Sequence, residues 1–313
     1  MNLGTASPPA GITPAQPATR ADGPPAGWRL WWLAIRPRTL SIAVAPVVAG
    51  TAVAAAETGR FDPLPMVAAL FGAVAIQAGT NLYNDLGDAL RGGDQPLRQG
   101  PPRVTALGWA TPARVRFAAL VAFGLAALAG LYLAAVGGWP ILALGVASLV
   151  AGWAYSGGPK PIAYTPLGEV FVVAFFGLGA VGGSYWLQAN ALSPAALATG
   201  LALGLLAAAV LLANNYRDLE PDRLAGRRTL AIRIGCEPSK ALYAVLTLVP
   251  FLLLASAIGP ERGWLALLAL PLALNLIRRF VTEARGLAFN GILAHTARLE
   301  LVVATLVAVG VGL

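Results

Sequence analysis

Two short stretches of this sequence collect carboxylates and amides at spacings suited to chemistry. The first runs Asn81-Leu-Tyr-Asn84-Asp85-Leu-Gly-Asp88 and continues past Arg91 to Asp94. The second runs Asn214-Asn215-Tyr-Arg-Asp218-Leu-Glu220-Pro-Asp222. Together they hold six of the 14 carboxylates of the chain. Asp85 and Asp88 are three residues apart and Asp218 and Asp222 four apart, so on a helix each pair shares one face. Like charges placed this way repel, and an acid inside a membrane span costs free energy. A divalent cation is the partner that compensates both. Mg2+ takes hard oxygen ligands and commonly bridges a few carboxylates to phosphate oxygens. Asn81 and Asn214 lie one turn before the first acid of each cluster, deeper in apolar sequence, where an amide needs a partner. Basic residues follow: Arg91, Arg98 and Arg103 after the first cluster, Arg227 and Arg228 after the second. Acids holding a metal, with guanidinium forks beside them, can grip a diphosphate. Arg103, Arg227 and Arg228 are the candidates for those forks. The plainer alternative, ion-paired charge beside a basic loop, suits one acid pair better than two matching ones.

The elements that carry these clusters follow from composition. The chain has 313 residues, 57% apolar and only 12% charged, with a mean hydropathy of +0.70. That excludes both a soluble enzyme of ordinary composition and a disordered chain. Its 36 Gly and 24 Pro sit among Leu, Ala and Val runs long enough to span a bilayer. The expected fold is all-α and polytopic: nine transmembrane helices around a central cavity open to the membrane. Their expected positions are 30–56, 63–90, 113–136, 139–156, 166–188, 194–218, 239–258, 263–281 and 297–313. Short gaps at 137–138 and 189–193 read as tight turns, whereas 91–112, 219–238 and 282–296 read as longer loops. Residues 27–313 form a single domain in this reading. Residues 1–26, rich in Pro and Ala without an apolar period, read as a disordered cytoplasmic tail.

Both acid clusters then fall at the ends of helices, the second and the sixth, on one side of the membrane. With the N-terminus inside, twenty of the 22 basic residues fall on the inner side and only Arg60 and Arg262 outside. The acids therefore face the cytoplasm from an inner, multi-pass membrane position. The net charge of +8 follows from basic cytoplasmic loops, so no nucleic-acid partner is expected. One Cys and one His, Cys236 and His295, exclude a disulfide framework and a Cys/His zinc site. Asn81-x-Tyr83-x-Asp85-Leu86 also matches Asn214-x-Tyr216-x-Asp218-Leu219, which suggests two similar halves facing one cavity.

Four stretches make the chain resemble a known family: Ala34-Ile-Arg-Pro-Arg-Thr-Leu40, the first cluster with Gly100-Pro-Pro-Arg103, Tyr155-Ser-Gly-Gly-Pro-Lys160 through Tyr164 to Leu167-Gly-Glu169, and the second cluster with Ala225-Gly-Arg-Arg228. They are similar to the UbiA superfamily of intramembrane aromatic prenyltransferases, over about residues 28–313. Asp94 stands where the broader superfamily often has an acid at the position of Gly92. That placement resembles the branch acting on 1,4-dihydroxy-2-naphthoate in menaquinone biosynthesis.

The resemblance implies a metal site. Asp85 and Asp88, helped by Asn81 or Asn84, would hold one Mg2+; Asp218 and Asp222, beside Asn214 and Asn215, would hold a second, with Asp94 a further candidate ligand. The ions would grip the diphosphate of a polyprenyl donor, with Arg38, Arg103, Lys160, Arg227 and Arg228 as its contacts. Tyr155 and Tyr164 would sit near the allylic carbon. The implied reaction moves the polyprenyl group to 1,4-dihydroxy-2-naphthoate with loss of diphosphate and CO2, giving demethylmenaquinol. Another acceptor such as 4-hydroxybenzoate is the alternative. A secondary transporter is the reading from another class, but it would place acids near the midplane of broken helices, not at one face.

Overall fold

The computed structural model describes residues 23–92, 99–257 and 263–312. Asp94, Arg98, Arg262 and most of the expected tail lie outside the described residues. The described chain is helical throughout, with no strand among the described residues.

The first expected span is broken. Helix α1, Trp28–Ile35, ends at Arg36, which takes a left-handed conformation (φ 57, ψ 67). A short 3-10 turn, Pro37–Thr39, leads into α2, Ser41–Thr58. Pro37 causes the break: it offers no N–H and disfavours helical geometry in the residue before it. Helix α3, Pro63–Leu90, keeps its expected bounds because Asp62 caps it, accepting from the Leu64 amide at 3.0 Å.

Helix α4, Pro112–Ser156, has 45 residues, about twice the length one bilayer crossing needs. It is folded in two at Gly138, whose φ of 72 lies in the left-handed region. Phe123 of the first arm and Gly152 of the second meet the same turn of α3. A Cβ on Gly79 would lie 2.9 Å from the Phe123 ring, and one on Gly152 would lie 2.8 Å from Thr80 Oγ1. Only a chain reversal brings both arms there, and it falls at the turn expected over 137–138.

The remaining elements are α5 (Gly168–Ala189, with a π-helical stretch over Val173–Gly179), α6 (Pro194–Arg217), the short α7 (Leu219–Leu224) and α8 (Leu230–Ile234), α9 (Cys236–Ala257), α10 (Trp264–Thr282) and α11 (Ala288–Val311). Among the described residues, eight helices are long and apolar enough to cross a membrane, and α4 supplies two arms. The last helix starts at 288 rather than 297. Its early residues read as a loop because they are polar, yet they are helical because they have partners. Asn290 meets Arg217 and Gln99, and Thr296 meets Tyr243. His295 therefore lies inside the helix, with Nδ1 2.6 Å from the Gly291 carbonyl.

Helix α6 is the most buried span, and α5 packs against it backbone to backbone. A Cβ on Gly177 would lie 2.4 Å from the Gly200 carbonyl oxygen and 2.6 Å from Gly204 Cα. Small residues permit such close approach in lipid, where packing rather than water drives helix association. At the other end of α6 the rings of Tyr216, Tyr243, Phe280 and Phe289 pack together at centroid distances of 4.0–5.3 Å. This buried cluster fixes the helix end that carries the second acid motif. Gly177→Ala should cost about 1–3 kcal/mol through overpacking. Gly124→Ala, with nothing within 4 Å of the new methyl, should be neutral. Thermal unfolding of both variants in detergent checks this.

Candidate active site

A cavity of about 1240 Å3 opens between α2, α3, both arms of α4, α5 and α6. Most of its wall is apolar. Its polar end is bordered by Arg36, Arg38, Asn84, Tyr155, Asn214 and Arg217. The break at Pro37 is what brings Arg36 and Arg38 to the wall; Asn81 holds that break in place by donating to the Ile35 carbonyl at 2.8 Å.

Behind this polar end the two acid motifs meet. Asp88 Oδ1 accepts from Arg227 Nη2 and Asp88 Oδ2 from Arg103 Nη2, both at 2.5 Å. Arg227 Nε also lies 3.4 Å from Asp222 Oδ1. One guanidinium thus joins an acid of the first motif to an acid of the second, all three groups being buried. Burial disfavours the charged form of Arg227, but the carboxylates of Asp88 and Asp222 outweigh it and hold the group more firmly protonated than usual. The Arg227 guanidinium stacks 4.9 Å above the Tyr164 ring, and Arg91 lies 5.8 Å from the same ring. Arg91 in turn donates to the Ser156 and Gly158 carbonyls at 2.7 and 2.9 Å. Tyr164 therefore seats Arg227 and does not border the cavity, whereas Tyr155 does.

Asp85 anchors backbone. Its two oxygens accept the Val104 and Thr105 amides at 2.9 and 3.0 Å, which fixes the segment carrying Arg103. Asn84 Oδ1 accepts from Arg103 at 3.3 Å. In the second motif, Arg217 forks onto Asp218 and also donates to Asn214 at 2.8 Å and Asn290 at 2.7 Å. Asn215 points elsewhere, donating to the buried Glu169 at 3.0 Å. Lys160 and Arg228 are exposed and neither borders the cavity. Sequence reasoning missed Arg217 as a site residue, since membrane topology alone accounts for a basic residue at that helix end. Its position directly before Asp218 was the available signal.

No three Asp, Glu, His or Cys side chains converge tightly enough to hold an ion among the described residues. The donor chemistry nonetheless fits Mg2+. The acids and the side-chain carbonyls of Asn84 and Asn214 offer it oxygen ligands, and the guanidinium groups facing Asp88, Asp218 and Asp222 are themselves good phosphate ligands. A bound metal diphosphate would exchange partners with them, acid to metal and guanidinium to phosphate. Asp85 can join while keeping its amides, because each carboxylate oxygen has two acceptor sites.

A polar, charge-rich floor under an apolar, membrane-embedded cavity suits an amphiphilic ligand with a charged head. The sequence profile of the UbiA prenyltransferase family matches residues 43–286, and the chain belongs to that family of prenyltransferases. It is 37% identical over 293 residues to the 1,4-dihydroxy-2-naphthoate octaprenyltransferase of Escherichia coli (strain K12), covering 90% of this chain and 95% of that one. It is 40% identical over 254 residues to the protein of the same name from Mycobacterium tuberculosis, covering 80% and 85% of the two chains. The fold is similar to a UbiA homolog from Archaeoglobus fulgidus bound to GPP and Mg2+, with TM-score 0.64, 17% identity and coverage of 88% of this chain and 99% of that one.

Asp85→Asn replaces one of the two amide acceptors with a donor. Amide exchange at Val104 and Thr105 should then accelerate by about tenfold or more, the equivalent of one lost buried hydrogen bond. Hydrogen–deuterium exchange of the detergent-solubilised protein reads this directly.

Proposed function

We propose that this protein transfers a polyprenyl group from polyprenyl diphosphate to 1,4-dihydroxy-2-naphthoate, with Mg2+, releasing diphosphate and CO2 and forming demethylmenaquinol. The observation that carries the reading is the Arg227 bridge, which joins both acid motifs behind the polar end of one apolar cavity. The names of the curated relatives support the acceptor, and the bound GPP and Mg2+ of the archaeal homolog support the donor and the metal. In this reading residues 27–313 form one domain that crosses the inner membrane nine times, with its N-terminus and site on the cytoplasmic side.

Asp85, Asp88, Asp218 and Asp222 would hold two ions, helped by the oxygens of Asn84 and Asn214. When bound, Mg2+ neutralises the diphosphate and stabilises the charge that develops there as the allylic C–O bond breaks. Arg103, Arg217 and Arg227 turn to the phosphate oxygens. The electron pair of the broken bond leaves with the diphosphate. The apolar walls exclude the water that would quench the allylic cation, and the Tyr155 face at the cavity wall favours that charge. Arg36 and Arg38 orient the acceptor's carboxylate. The carboxyl-bearing ring carbon forms the new C–C bond, then loses CO2, whose bonding pair restores the aromatic ring. The ionised acid loses CO2 in place of a ring proton, so no strong base is required. The isoprenoid tail and the product remain in apolar surroundings throughout.

The test is an assay of purified protein with Mg2+, a polyprenyl diphosphate, and 1,4-dihydroxy-2-naphthoate or 4-hydroxybenzoate in parallel. Prenylated naphthoquinol with CO2 release, abolished by EDTA, is the expected result. Prenylated hydroxybenzoate would move the acceptor, and no product from folded protein with either would overturn the reading. Asp88→Asn and Asp218→Asn should each lower kcat by roughly a hundredfold or more without loss of the folded state.

A further inference from the structure

The helix α3 face that borders the cavity carries three amides in succession, Gln77, Asn81 and Asn84, at i, i+4 and i+7. Two of them are committed. Asn81 donates to the Ile35 carbonyl and Asn84 accepts from Arg103. Gln77 lies furthest from the charged end, about 10 Å along the helix from Asn84. No hydrogen-bond partner meets its amide among the described residues. Thr80 and Ser148 also border the cavity at this depth. Thr80 Oγ1 lies against Gly152 of the facing arm of α4, 2.8 Å from where a Cβ would stand, and Ser148 is one turn beyond Gly152. The absence of a side chain at Gly152 lets the second arm of α4 approach α3 closely at Thr80, with Gly152 and Thr80 both bordering the cavity.

An amide and two hydroxyls in an otherwise apolar, membrane-embedded wall need a partner. An isoprenoid chain offers none. An aromatic acceptor with a second ring oxygen does. With its carboxylate at Arg36 and Arg38 and its reacting carbon toward the diphosphate, such a ring projects its far hydroxyl away from the charged floor. The carboxylate and that hydroxyl are meta to each other on one ring, and the ring with a hydrogen bond at each of them spans about 10 Å, comparable with the length of α3 between Asn84 and Gln77. We propose that Gln77, with Thr80 and Ser148 beside it, receives the far ring hydroxyl of the acceptor and is a specificity-determining residue. This rests on the functional reading above.

The experiment compares two acceptors that differ only in that hydroxyl, 1,4-dihydroxy-2-naphthoate and 1-hydroxy-2-naphthoate. The missing hydroxyl is meta to the reacting carbon, so its removal alters recognition far more than ring reactivity. Wild-type protein should prefer the dihydroxy acid in kcat/KM by roughly tenfold to a hundredfold, the range of one polar contact left unpaired. Gln77→Leu should abolish most of that preference while KM for the polyprenyl diphosphate stays within about twofold of wild type. Ser148→Ala provides a second variant should Gln77→Leu fail to fold, with a smaller loss of the same preference expected. Wild-type protein without a preference, or variants that lose activity equally toward both acceptors, would overturn the subsite and leave the transferase reading standing. A wild-type protein that prenylates neither naphthoate would overturn both.

Discussion

The Arg227 guanidinium, held between Asp88 and Asp222, is the interaction on which the rest of the site depends. Burying three charged groups is costly, and removing one partner from such a set leaves an uncompensated charge that costs on the order of 3–5 kcal/mol. The surrounding structure is arranged to keep the set complete. Tyr164 supports the guanidinium from one face, and Arg91 ties that ring to the end of α4. Asp85 holds the backbone that delivers Arg103 to the same Asp88. The aromatic cluster of Tyr216, Tyr243, Phe280 and Phe289 fixes the end of α6, and with it the start of the segment that carries Asp222. A buried array of this kind contributes little net stability. In the proposed function, acids and guanidinium groups are already gathered, at low net charge, where a metal diphosphate would take them over.

The membrane accounts for the rest of the architecture. An isoprenoid donor and its product need apolar surroundings, and an allylic cation needs the absence of water. Both are met by a cavity walled by spans that also face lipid. Helix α4 shows the division of labour. Its outer surface is the least buried of the spans, while its second arm supplies Tyr155, Gly152 and Ser148 to the cavity.

Much of this was legible in the sequence, for identifiable reasons. Helix α3 begins where Asp62 and Pro63 mark a cap, and α6 begins likewise at Ser193 and Pro194. Gly138 marked the reversal within α4 because apolar runs on both sides are each long enough to span. The meeting of the two motifs was suggested by their shared pattern. Other features were hidden because they depend on tertiary partners. Pro37 was visible, but the long apolar run around it argued for an unbroken helix. The start of α11 read as a loop because Asn290 and Thr296 satisfy their polar groups only through Arg217, Gln99 and Tyr243. The hold of Asp85 on two amides, and the seating of Arg227 on Tyr164, require backbone geometry that spacing alone does not contain.

A double-mutant cycle on Asp88 and Arg227, using Asp88→Asn, Arg227→Met and the pair, measures how far the bridge holds the two motifs together. Thermal stability would be measured with and without Mg2+ and a non-hydrolysable prenyl diphosphate. A coupling of about 2 kcal/mol or more in the free protein, falling toward zero when the ligand is bound, is the expected result. Additive effects in the free protein, or a coupling that the ligand leaves unchanged, would contradict it.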